Sequence, residues 1–186
     1  MIKEKGVFMG KHAIIFHGTG GNPQAIWYPW LGNQLKSKGY YVETPHWPEL
    51  NIEPIETFLP KILSTHNFTQ ETVLIGHSGG AALLLSILEK LKVPVKSTYM
   101  IAGYHAQPNK ENEPVLQQKY DWEIIRANCG DAYIINSVVD PYGCDANQGR
   151  FIFDRIGGTQ IIRNQGHFGD WNQEYPSFPL LNQLIP

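Results

Sequence analysis

Six short apolar runs alternate along the chain with longer segments whose apolar positions recur at helical spacing. The runs are 12–17 (HAIIFH), 40–43, 73–75 (VLI), 97–102 (STYMIA), 132–138 and 160–163, each closed by glycine, proline or a polar turn. Between and after them, helices are predicted over about 24–38, 52–63, 81–91, 147–155 and 178–184, with a shorter one starting near 120–125. Uninterrupted apolar runs such as Val73-Leu74-Ile75 suit strands covered on both faces. Strand–helix alternation of this kind implies right-handed crossovers, so the pattern predicts an α/β three-layer sandwich around a mostly parallel sheet of about six strands. The rhythm breaks at 103–128, which is polar and contains proline (GYHAQPNKENEP) before Trp122. That stretch is expected to form a small lid-like insertion beyond the fourth strand, with Tyr104 and Trp122 covering something beneath it.

The strand at 73–75 meets its helix through Gly76-His77-Ser78-Gly79-Gly80, with Ala81, Leu84, Leu85, Leu88 and Leu91 on the helical face that follows. Gly-x-Ser-x-Gly between a strand and a helix makes a tight corner that lifts the serine oxygen above the sheet, and the helix N-terminus favours negative charge beside it. A serine hydroxyl is a weak nucleophile at neutral pH, so it needs a base in reach and a carboxylate to hold that base in one tautomer. On a parallel sheet both must come from loops at the same carboxyl edge. Asp140, in the turn Asp140-Pro141-Tyr142-Gly143, and His167, in Asn164-Gln165-Gly166-His167-Phe168-Gly169, each follow a predicted strand in the order serine, acid, histidine. Asp131, Asp145 and Asp170 rank lower, lying before a strand, at a helix start and beyond the histidine. The first run ends in Gly18-Thr19-Gly20-Gly21-Asn22-Pro23; it lacks the lysine and glycine spacing of a phosphate loop. Its expected part is to pair the N–H of Thr19 with that of Gly79 as an oxyanion hole. Trp27, Tyr104 and Trp122 are candidate walls of the substrate pocket.

At 186 residues the chain fits one domain with a core of its own. A formal charge of -2, from 15 basic and 17 acidic residues without a basic stripe, argues against nucleic acid as a partner. No apolar stretch is long enough for a signal peptide or a membrane span, so a soluble cytoplasmic protein is expected. Cys129 and Cys144 read as reduced thiols, and no metal or cofactor is called for. His46 and His66 read as loop or surface histidines.

With these residues in place, the chain resembles the small α/β-hydrolase-type serine hydrolases, a family that includes the retinoblastoma-binding serine hydrolase and bacterial relatives. The resemblance spans nearly the whole chain and rests on His77-Ser78-Gly79-Gly80, on Asp121-Trp122-Glu123-Ile124 running into Ala127-Asn128-Cys129, on 137–141, and on Gly166-His167-Phe168. It implies a reduced α/β-hydrolase fold, Ser78, Asp140 and His167 as nucleophile, acid and base, and esterase or peptidase-like activity, with partner binding in some members. Relatives often carry two acids before the proline; Val139-Asp140 here removes a rival to Asp140. The expected activity is hydrolysis of carboxylic esters or similar small acyl substrates through an acyl-enzyme. Two alternatives use the same residues, an acyltransferase and a binding module with a vestigial site.

Overall fold

The computed structural model describes residues 10–109 and 112–186. Residues 1–9, on which part of the signal-peptide reading rests, lie outside the described residues, as do 110–111 of the expected insertion. The strands are β1 (His12–Phe16), β2 (Tyr41–Glu43), β3 (Thr72–His77), β4 (Ser97–Ile101), β5 (Asp131–Ser137) and β6 (Thr159–Arg163). They form one sheet in the order β2-β1-β3-β4-β5-β6, with every neighbouring pair parallel. β1, β3 and β4 are buried throughout, as their uninterrupted apolar runs require, while the edge strands β2 and β6 expose Tyr41 and Ile162.

The helices are α1 (Tyr28–Ser37), α2 (Ile55–Thr65), α3 (Gly79–Lys90), α4 (Trp122–Asn128), α5 (Ala146–Ile156) and α6 (Pro179–Leu184). The connection from β1 steps one way along the sheet and every later one steps the other way, so right-handed crossovers put α1 on one face and α2 to α5 on the other. The packing agrees: α1 touches α6, and α2 through α5 form a row in which each helix touches the next. The direction reverses between β1 and β3, leaving a crevice at their carboxyl ends, where ligands of open α/β sheets bind. Among the described residues no helix is long and apolar enough to cross a membrane.

Three details depart from the sequence reading. α1 starts at Tyr28 rather than near 24, because Asn22 turns the chain first: its side chain accepts from the N–H of Gln24 at 2.9 Å and its carbonyl from that of Ala25 at 3.2 Å. His66 is buried rather than a surface group. Its Nδ1 lies 2.7 Å from one oxygen of Glu43, and His12 Nε2 lies 2.7 Å from the other. Burial opposes the Glu43 charge, but the bonds and charges of the two histidines outweigh it and hold the carboxyl at about 2. Finally, Trp122–Asn128 is the regular crossover helix between β4 and β5, so the irregular part of the expected insertion stops before it. That part is folded down: the Pro114 carbonyl accepts from Ile55, Gln117 reaches Ser86, and Val115 and Tyr120 enter the core.

The junction of α3 with β1 is tight, since a Cβ at Gly80 would lie 2.4 Å from the Phe16 carbonyl oxygen and 2.5 Å from that of His17. Gly32, inside α1, has only Val42 at 3.8 Å. Gly80→Ala should therefore cost about 3 kcal/mol or more, whereas Gly32→Ala should stabilise by about 0.5–1 kcal/mol through helix propensity. Urea unfolding of both variants checks the contrast, and equal effects would contradict it.

Candidate active site

β3 hands the chain to α3 at Ser78, which has φ 53° and ψ −121°, a conformation that side chains other than glycine rarely adopt. Its cost, about 1–3 kcal/mol, is carried by the rigid elements on either side and by the bond from Ser78 N–H to the Ile101 carbonyl at 2.8 Å. Ser78 keeps part of its surface open while His77 before it and Gly79 after it are buried. The corner thus presents one side chain to the crevice.

His167 and Asp140 meet at the same edge. Asp140 Oδ2 lies 2.8 Å from His167 Nδ1, and Asp140 Oδ1 accepts from the N–H of Tyr142 at 2.8 Å. The carboxylate is fully enclosed and the Tyr142 ring stands edge-on to the imidazole at 4.6 Å. An acceptor on Nδ1 puts the imidazole proton there and leaves the lone pair on Nε2, the arrangement a general base needs. The loop is braced by Gln173, whose Oε1 accepts from the N–H groups of His167 and Gly169 at 3.2 and 3.3 Å. The other aspartates have different work: Asp145 caps α5, Asp170 accepts from Asn172 and Gln173 in a turn, and Asp131 opens β5. No hydrogen bond joins Ser78 to His167 in this structure; free enzymes of this kind often hold that contact long and tighten it on substrate. Ser78 shares the polar cavity with the Cys144 thiol.

Thr19 and Gly79 approach each other across the corner, an ideal Cβ on Gly79 lying 3.0 Å from Thr19 N and 2.0 Å from Thr19 Oγ1. As the first residue of α3, Gly79 has no acceptor within the helix for its N–H. The glycine loop is held by its neighbours: His17 Nδ1–H donates to the Gly18 carbonyl at 2.8 Å, while His17 Nε2 accepts from Trp47 N–H at 3.0 Å.

Beneath these groups lies a layer that the sequence did not disclose. The Gly18 N–H donates to Tyr28 Oη at 3.3 Å, Tyr28 donates to His77 Nδ1 at 2.7 Å, and His77 Nε2–H donates to the main-chain carbonyl of His167 at 2.7 Å. Complete burial, and then the charges of His167 and His17, push the His77 pKa down to about 3 against the pull of the His167 carbonyl. Trp27 belongs to this layer too. It was expected to wall the pocket, but it caps α1, is fully buried among Tyr28, His77 and Phe178, and donates its indole N–H to the Phe168 carbonyl at 2.9 Å.

Two cavities meet at Ser78 and His167. The smaller, about 140 Å³, is bordered by Ala25, Ile26, Tyr28, Gly169 and Trp171. The larger, about 360 Å³, is polar and bordered by Tyr104, Asn109, Asn112, Glu113, Tyr142 and Cys144. Tyr104 is thus at the site as expected, its hydroxyl bonded to Glu113 at 2.7 Å. Trp122 is not: it opens α4 in the helical layer and lines a separate cavity with His105, Phe151 and Arg155. Trp171, 73% exposed and bordering both cavities, is the aromatic that sequence reasoning missed; its only signal was its place four residues beyond His167.

The family model described as serine hydrolase matches residues 13–185. Serine hydrolase RBBP9 of Rattus norvegicus is 26% identical over 163 residues, which are 84% of this chain and 86% of that protein. Among solved structures, the ydeN gene product of B. subtilis superposes with a TM-score of 0.84 at 21% identity, covering 94% of this chain and 96% of that one. Esterase PE8 superposes at 0.58 and 16% identity over 88% and 87%. At these identities the two structures share the fold: a six-stranded parallel sheet in the reduced α/β-hydrolase arrangement.

The His77 pKa, about 3 when folded against an ordinary 6.5, makes a prediction about acid stability. Between those values the unfolded chain binds a proton that the native state refuses, so stability is full above about 6.5 and falls as the pH drops towards 3, at about 1.4 kcal/mol per pH unit for the one proton. His77→Gln keeps an acceptor for Tyr28 and a donor for His167 but cannot titrate. Urea unfolding across this range should give a shallower slope in the variant; His17, also shifted down, titrates in both proteins and cancels. An unchanged slope would remove His77 from the account.

Proposed function

The chain belongs to the serine hydrolase family, and on that premise we propose that it cleaves small carboxylic esters through a covalent acyl-enzyme. The observation that carries this reading is the 2.8 Å bond from His167 Nδ1 to an enclosed Asp140, on a loop bordering the same two cavities as the strained Ser78. His167 Nε2 takes the Ser78 proton as Oγ attacks the ester carbon, and Asp140 stabilises the imidazolium that results. The N–H groups of Gly79 and Thr19, together with the N-terminal dipole of α3, hold the oxyanion. Collapse expels the alkoxide, which takes the proton from His167; water then repeats the sequence in reverse roles and frees the acid. The small, mainly apolar cavity suits a short acyl chain, and the polar one the alcohol. Free thiols at Cys129 and Cys144 support a cytoplasmic place of work, and the name of esterase PE8 accords with ester chemistry.

Ser78→Ala should abolish fluorophosphonate labelling and ester turnover, the latter by about a thousandfold or more. Asp140→Asn should cut turnover roughly a hundredfold to ten-thousandfold by spoiling the His167 tautomer. Asp145→Asn should cost stability only, about 1 kcal/mol or less, through the α5 cap. Labelling that survived in the Ser78 variant, or a more damaging Asp145 variant among folded proteins, would refute the assignment.

Each enclosed methylene is worth about 0.8 kcal/mol, or roughly fourfold in catalytic efficiency. Efficiency should therefore rise from acetyl to about butyryl or hexanoyl esters and then fall as the smaller cavity fills. Trp171→Ala should flatten that profile without removing labelling, and Trp122→Ala should leave its shape alone. A profile that kept climbing through long chains would exclude a small acyl pocket.

A further inference from the structure

Cys144 is a core thiol to which the hydrolytic reading gives no task. It lies four residues beyond Asp140, is buried, and borders the polar cavity with Ser78 and His167. Its sulfur, a carboxylate oxygen of Asp140 and a ring nitrogen of His167 lie within 4.8 Å of one another. In a tetrahedral zinc site, with bonds of about 2.0–2.3 Å, ligand atoms stand roughly 3.3–3.8 Å apart, so small side-chain rotations close the set. Thiolate, imidazole and carboxylate are zinc ligands, and the Ser78 hydroxyl or a water from the cavity would complete four.

The charge around the sulfur favours a cation. Among the described residues neither cavity at Ser78 is bordered by lysine or arginine, while Asp140, Asp170 and Glu113 border one or both or stand directly behind His167. Burial first, then the charges of Asp140, Glu113 and Asp145, push the Cys144 thiol up. A divalent ion reverses that balance, since a coordinating thiol gives up its proton outright.

The geometry points to an inhibitory site for a thiophilic divalent cation of the Zn²⁺ class at Cys144, His167 and Asp140, occupied in competition with the hydrolytic state of Ser78. The inhibitory part rests on the proposed roles of Ser78 and His167; the binding part does not. On binding, a metal–sulfur bond forms as the thiol proton leaves to solvent through the cavity. The neutral imidazole has one available lone pair, so whichever nitrogen the ion takes, none remains to receive the Ser78 proton. Bound Nε2 is blocked directly; bound Nδ1 forces the ring proton onto Nε2. Hard cations such as Mg²⁺ prefer all-oxygen shells and should not compete.

The test uses Co²⁺ and Zn²⁺ on the whole protein. Co²⁺ added to wild type and to Ser78→Ala should give a thiolate-to-cobalt charge-transfer band and the intense visible bands of a tetrahedral ion. Both should vanish on adding Zn²⁺ and be absent in Cys144→Ala, whereas Cys129→Ala, whose sulfur bonds to the Arg126 carbonyl, should keep them. Ester turnover and fluorophosphonate labelling should be inhibited by Zn²⁺, restored by EDTA and indifferent to Mg²⁺. Measured against each protein's own basal rate, Cys144→Ala should raise the Zn²⁺ concentration for half-inhibition at least about tenfold, the lower end of what losing even an outer partner of a metal ligand costs. A cobalt spectrum without the thiolate band, or one that persists in Cys144→Ala, overturns the site whatever the turnover. Equal Zn²⁺ sensitivity in wild type and Cys144→Ala overturns the inhibition. Cobalt binding as expected in a protein with no ester turnover would leave the metal site standing and count against the hydrolase reading alone.

Discussion

A single neutral imidazole holds the three loops of the site together. His77 touches the glycine loop through Tyr28, carries Ser78 as its next residue, and bonds the main chain of His167. Its two nitrogens have opposite duties, one accepting and one donating, and only the neutral ring can perform both. A proton on Nδ1 would face the Tyr28 hydroxyl, whose oxygen is already accepting from Gly18. The enclosure that forbids that proton is therefore the same feature that keeps the loops in register, and stability and site geometry share one cause.

Strain gathers around that bridge. Of the four described residues other than glycine with positive φ, Ser78 is the corner itself, Ile26 borders the smaller cavity, Phe168 follows His167, and Ala102 follows β4 beside Ser78's acceptor. Such conformations persist only where their surroundings over-determine them. The surroundings here are buried parallel strands on one side and side-chain bonds to main-chain carbonyls on the other, notably Trp27 to Phe168 and His77 to His167. The helical layer fixes the far side, with α3 almost wholly buried along its length.

What the sequence disclosed were the features that repeat or stand in order along the chain. Uninterrupted apolar runs marked the strands, helical spacing marked α3, and the order of Ser78, Asp140 and His167 after β3, β5 and β6 marked residues that the fold brings to one edge. What it concealed depends on direction. Trp27 and Trp122 were chosen as aromatics near the edge, but Trp27, at the cap before α1, turns into the core, and the start of α4 points Trp122 at Phe151 and Arg155. His66 and Glu43 lie 23 residues apart and pair only because α2 returns across β1 and β2. Cys144 carried no metal-like spacing; only the Asp140 turn folds it back towards His167.

Among the described residues neither lysine nor arginine borders either cavity, and this shapes the chemistry proposed for them. In the proposed reaction the oxyanion formed at Ser78 would be held by dipoles, the N–H groups of Gly79 and Thr19 and the N-terminus of α3, with the transient His167 imidazolium as the cation beside it. Dipoles fixed by the fold stabilise charge that develops in place and need no reorganisation as it appears. They exert less pull on an anion free to leave than a cation would. The carboxylate product of the proposed reaction, unlike the ester, would carry a full charge among Asp140, Asp170 and Glu113 and would be repelled by the field in which it forms. Under the proposed ester hydrolysis, such a site would bind a neutral ester, steady a transient anion and repel the acid, so that the sign of the surrounding charge would favour product release.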